Sequence, residues 1–126
     1  MSLRTPLGTV LGRGSAKEGT GHFFAQRVSG VALLLLGLWF ACSLATMPGF
    51  EHADALAFIG APINGVLLLL LVASLAHHSS LGVQVVIEDY VHGHGLKLLS
   101  LVISRFAHSF LLVAAIYAII KIGSGA

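Results

Sequence analysis

His78, Gly82, Asp89 and Tyr90 are the residues of this chain whose types and spacing could do chemistry. They stand in AHHSSLGVQVVIEDY, residues 76–90, a greasy stretch that carries two histidines into an acidic, aromatic end. An α-helix turns about 100° per residue, so positions four, seven and eleven apart share a face. Ser74, His78, Gly82, Val85 and Asp89 therefore form one stripe. Gly82 lies one turn from His78 and leaves a gap in the side-chain layer that admits something flat and wide. His77 points about 100° away from that gap. A neutral imidazole is a strong ligand for haem iron. An interhelical hydrogen bond worth about 1 kcal/mol accounts for such a histidine equally well, and the residues alone leave both readings open.

Asp89 and Tyr90 follow about 16–18 Å further along the axis, where two readings also stand. Tyrosine belongs to the aromatic belt of membrane helices, and acidic residues often flank them. Alternatively, the phenol donates a hydrogen bond to a bound carbonyl while the carboxylate takes part in proton traffic.

The elements that must position these groups follow from composition. Of 126 residues, 56% are hydrophobic and 10% charged, with a mean hydropathy of +0.94. Three apolar runs, at about 28–47, 63–87 and 98–120, are each long enough to cross ~30 Å of hydrocarbon. The fold class is therefore all-α, an integral membrane protein with three transmembrane helices in a domain spanning 28–122. A polar arm, residues 1–27, precedes it, and a tail, 123–126, follows. The glycines of the arm (Gly8, Gly12, Gly14, Gly19 and Gly21) suggest an irregular segment. No soluble domain fits, so soluble chemistry must come from partner chains. The first run could pass for a secretory signal, but it starts too late and runs too long, and it reads as a retained helix. Cys42 is the one cysteine, which excludes an internal disulfide and a CxxC metal site.

Arg4, Arg13, Lys17 and Arg27 lie in the arm and Lys97 in the second connection, whereas the first connection carries Glu51 and Asp54. The positive-inside rule then predicts a cytoplasmic N-terminus and a C-terminus outside, with Lys121 as the exception. A net charge of +2 reports this topology and makes no case for nucleic acid.

Arg105 and His108, three apart, share a face of the third helix. Were a haem at His78 to turn its propionates to the cytoplasm, Arg27 and Arg105 would be the cations placed to pair with them, with His108 in the vicinity. Membrane anchoring is the alternative for both arginines. His92 and His94 form an HxH on a glycine loop, a weak metal signal.

The segment from His78 through Gly82 and Val86 to Asp89-Tyr90 resembles the H-x3-G-x-x-x-V-x-x-D-Y signature of the small hydrophobic cytochrome b anchors of succinate dehydrogenase. The stretch GSAKEGTGHFFAQR, residues 14–27, is similar to the cytoplasmic lead-in of bacterial members. The resemblance implies an anchor in the bacterial inner membrane, with a periplasmic C-terminus. Its expected partners are the large cytochrome b anchor, the iron–sulfur protein and the flavoprotein of the complex. FAD and the iron–sulfur clusters would lie in those partners only. It further implies one haem b shared with the large cytochrome b anchor and held by His78 as one axial ligand. Arg27 would lie near the propionates, Tyr90 would hold the ubiquinone carbonyl, and Asp89 would stand beside it. The rival readings are a fumarate reductase anchor, a haem-free structural or assembly protein, and a metal transporter using His77, His78, Asp89, His92 and His94.

Overall fold

A computed structural model describes Leu7 and residues 19–125; most of the predicted arm, 1–6 and 8–18, lies outside the described residues, as does position 126. The chain runs α1 (Gly19–Ala45), α2 (His52–Gly60), α3 (Pro62–Tyr90) and α4 (His94–Gly123), with no strand among the described residues. α1, α3 and α4 are long and apolar enough to cross a membrane, in agreement with the three apolar runs. At 1.5 Å per residue each is about 40–45 Å long, longer than a ~30 Å hydrocarbon layer is thick.

The helices outrun the apolar stretches that announce them. α1 begins at Gly19, so His22, Phe23, Gln26 and Arg27 form its first turns rather than the end of an irregular arm. Hydropathy marks where hydrocarbon begins, whereas a nucleated helix extends into polar sequence at the gain of one hydrogen bond per residue. α3 starts with Pro62 in its first turn, where the missing N–H costs nothing. At its other end the Val91 N–H donates to Ile87 O at 3.0 Å. Lys97, in the first turns of α4, donates its ammonium to Glu88 O at 2.7 Å. A carbonyl that has no partner within α3 is thereby satisfied from the next helix.

α2 falls where the sequence predicts only a connection. Its start is set by the Glu51 N–H, which donates to Asp54 Oδ2 at 3.1 Å, one half of a capping box. A Cβ at Gly49 would stand 2.5 Å from that same oxygen, so glycine makes room for the cap. Phe58 stacks on Trp39 at 6.1 Å between centroids and meets Phe40 at 6.4 Å. Asn64 Nδ2 donates to Phe58 O at 3.0 Å. These contacts tie α2 to the ends of α1 and α3.

α3 is the central helix: α1 and α4 each pack on it and not on one another. Only Leu68 and Ser29 are buried among the described residues. Dispersion across two seams and a few interhelical hydrogen bonds, with no enclosed core, are what this chain alone supplies to hold the layer together. Its outer faces carry bare Leu, Val, Ile and Phe side chains suited to lipid tails or to other helices.

Gly49→Ala and Asp54→Ala should each lower the detergent unfolding transition by the equivalent of about 1 kcal/mol, the worth of a helix cap. The double variant should lose no more than either alone, because both remove one bond. Full additivity in a thermal melt would show that Gly49 does not serve the Asp54 cap.

Candidate functional site

The α1–α3 seam is built from both helices around His78. On α1, Gln26, Ser29 and Gly30 are three and four residues apart and so share a face. The imidazole leans on that face: a Cβ at Gly30 would stand 3.4 Å from His78 Cε1. Ser29 is 7% exposed, and its Oγ lies 3.0 Å from His78 Nδ1. On the other side of the ring, Gln26 Nε2 lies 3.4 Å from His78 Nε2. The same amide nitrogen is 3.7 Å from where a Cβ at Gly82 would be. Gln26 thus reaches into the gap that Gly82 leaves.

Next to that gap opens a cleft of about 370 Å³ lined by His22, Phe23, Gln26, Arg27, Gly82 and Val85. The Arg27 guanidinium lies over the Phe23 ring, 4.9 Å from its centroid, which holds a cation at the cleft. His22 Nε2 and Gln26 Oε1 are buried without a hydrogen-bond partner among the described residues. Unsatisfied buried polar atoms are few in native proteins and call for a partner from elsewhere. An imidazole, a glycine gap, two orphaned polar atoms and a nearby cation fit a flat group that carries a metal and anionic arms, which is the chemistry of a haem.

The α3–α4 seam has a different character. His108 Nδ1 donates to Ser104 O at 2.7 Å, because a carbonyl can only accept. Its Nε2 therefore accepts from Ser79 Oγ, 3.1 Å away on α3. Both ring nitrogens are satisfied, and His108 is an interhelical hydrogen-bonding histidine. Arg105 Nη2 donates to Gln84 Oε1 at 3.4 Å, and Gln84 Nε2 donates to Glu88 Oε1 at 2.8 Å. One amide thus links the guanidinium to a carboxylate. Arg105 and His108 line a second cleft with His77 and Ser80, and the structure does not bring them to the His78 cleft. The reason is angular: His77, Ser80 and Gln84 lie about 100° or more around α3 from His78.

Asp89 and Tyr90 close the last turn of α3, and both are exposed, Tyr90 by 77%. His92 Nδ1 donates to Tyr90 O at 3.1 Å, which fixes the turn behind the phenol. No three His, Cys, Asp or Glu side chains converge among the described residues, so the five-residue transporter set is not assembled.

Sequence reasoning misses Gln26, Ser29 and Gly30. The signal is present as a small and polar patch at helical spacing, but the first apolar run reads as uniform from Val28 onward.

Residues 1–120 match the family described as succinate dehydrogenase/fumarate reductase transmembrane subunit. The chain is 34% identical over 122 residues to the succinate dehydrogenase hydrophobic membrane anchor subunit of Paracoccus denitrificans, covering 97% of this chain and 94% of that one. It is 35% identical over 105 residues to the protein of the same name from Rickettsia typhi, covering 83% and 84%. For the Rickettsia conorii anchor the identity is 38% over 85 residues, covering 67% and 68%. With three helices long and apolar enough to cross a membrane, a family match over residues 1–120 and near end-to-end similarity to the Paracoccus denitrificans anchor, the chain belongs to the succinate dehydrogenase/fumarate reductase transmembrane subunit family.

Proposed function

We propose that this chain binds one haem b and the ubiquinone head group within succinate:ubiquinone oxidoreductase, and docks the flavoprotein and the iron–sulfur protein at the membrane. The observation that carries the reading is the His78 imidazole held against α1 beside the Gly82 gap, next to a cleft with two unsatisfied polar atoms. His78 would hold the haem iron from this chain, and the large cytochrome b anchor would supply the second ligand. Arg27, which lines the cleft, would neutralise a propionate through charge-assisted bonds. Gly30 lets the imidazole rest against α1, and Gly82 leaves room beside it that the Gln26 amide enters. When bound, the haem would supply a one-electron redox centre.

The quinone role falls to the exposed end of α3. The Tyr90 hydroxyl donates to a quinone carbonyl, and the Asp89 carboxylate beside it takes up and hands on protons from the water side. Their exposure in this chain leaves the rest of that pocket to partner chains. By the positive-inside rule, Lys97 and the arm arginines favour a cytoplasmic position for this end and a periplasmic C-terminus. Names of the relatives favour succinate oxidation over fumarate reduction as the direction of turnover.

In the purified complex, His78→Ala should abolish or strongly perturb the b-type absorption, while His77→Ala should leave it intact. Equal spectra for the two variants would refute the assignment of His78. Tyr90→Phe should slow succinate:quinone activity several-fold and leave succinate oxidation by an artificial acceptor at the flavin unchanged. Parallel losses in the two assays would argue against a quinone role for the phenol.

A further inference from the structure

Ser29 does more than pack. Its Oγ lies 2.8 Å from Ala25 O and 3.1 Å from Gln26 O, and 3.0 Å from His78 Nδ1. A hydroxyl has one proton and two acceptor positions. Carbonyl oxygens accept only, so two carbonyls at those distances require the Ser29 proton to lie on their side. What remains toward His78 is a lone pair. The hydrogen on this contact must then come from the imidazole, as Nδ1–H donating to Ser29 Oγ.

That bond selects the tautomer. With the proton on Nδ1, the lone pair lies on Nε2, where it accepts from the Gln26 amide at 3.4 Å, a long contact that a metal at Nε2 would replace. Gly30 completes the arrangement from below: with a Cβ position only 3.4 Å from His78 Cε1, the ring rests against the α1 backbone and has little room to rotate. The hydroxyl itself is fixed, being buried and bonded to its own helix.

We propose that Ser29 is a positioning residue for the haem: it locks His78 as the Nδ1-protonated tautomer, presents Nε2 to the iron, and by accepting the Nδ1 proton strengthens the imidazole as a donor. The role rests on the reading of His78 as an axial ligand. An acceptor on the far nitrogen raises the basicity of a metal-bound histidine and fixes its ring plane. A more basic axial ligand favours the oxidised iron, so the bond holds the haem potential down.

The test uses the assembled complex and reads the haem spectroscopically. Redox titration and the ferric low-spin EPR signal are compared for wild type, Ser29→Ala, Ser29→Thr and Ser43→Ala. Ser43 is a matched control, because its hydroxyl bonds Trp39 O on the same helix at 2.8 Å and lies well over three turns from Ser29, away from the His78 ring. Ser29→Ala should retain haem, shift the midpoint potential to a more positive value and move the EPR g values. Ser29→Thr, which keeps the oxygen, and Ser43→Ala should both stay with wild type. If the alanine complex fails to assemble, Ser29→Cys keeps the volume with a weak acceptor and should show the same positive shift.

A b-type signal that depends on His78 but keeps its potential and g values in Ser29→Ala or Ser29→Cys would overturn the role of Ser29 alone. A wild-type complex with no b-type signal would overturn the His78 reading as well.

Discussion

A polar side chain at hydrocarbon depth has no water to turn to, and the arrangement of this chain follows from that constraint. Each of its two seams is organised around a histidine on one helix and a serine on the other. At the α3–α4 seam the pairing is complete, with both nitrogens of His108 engaged by Ser79 and Ser104. At the α1–α3 seam it is incomplete. His78 is met by Ser29 and by a long contact to Gln26, and two nearby buried polar atoms have no partner among the described residues. The contrast separates a histidine that closes a seam from one whose surroundings await another group.

The layered arrangement explains why such a small chain works as an anchor. With α3 between α1 and α4 and almost nothing buried among the described residues, the three helices cannot form a core of their own. Their large apolar faces suit lipid on one side and the helices of another chain on the other. The cleft beside Gly82, open on one flank, suits the same arrangement, because a partner can then close it. The ends are fastened more firmly than the middle. Lys97 caps α3 from α4, and α2 joins the opposite end through Phe58 and Asn64. These tethers hold the seams in register.

The three spanning helices are legible in the sequence because hydrocarbon imposes a length and a composition that no other environment does. The stripe of His78, Gly82 and Asp89 is legible too, since helical periodicity alone decides which residues share a face. What the α1 face holds is not. Gln26, Ser29 and Gly30 acquire meaning only once α1 is known to pack against the His78 side of α3, and periodicity within one helix carries no information about its neighbour. The same gap explains Arg105. Its depth suggests a haem partner, but the rotation of α3 directs it to Gln84 and Glu88. α2 is hidden for a different reason: nine residues fall below any hydropathy signal, although Glu51-x-x-Asp54 is a readable cap.

The central claim is that the cleft beside His78 and Gly82 is one wall of a haem site. It is tested most directly by a reduced-minus-oxidised absorption spectrum of the detergent-purified complex containing this chain, first with succinate and then with a strong chemical reductant. The account predicts a b-type band in at least the chemically reduced sample. A complex that oxidises succinate yet shows no b-type band under either reductant would contradict it.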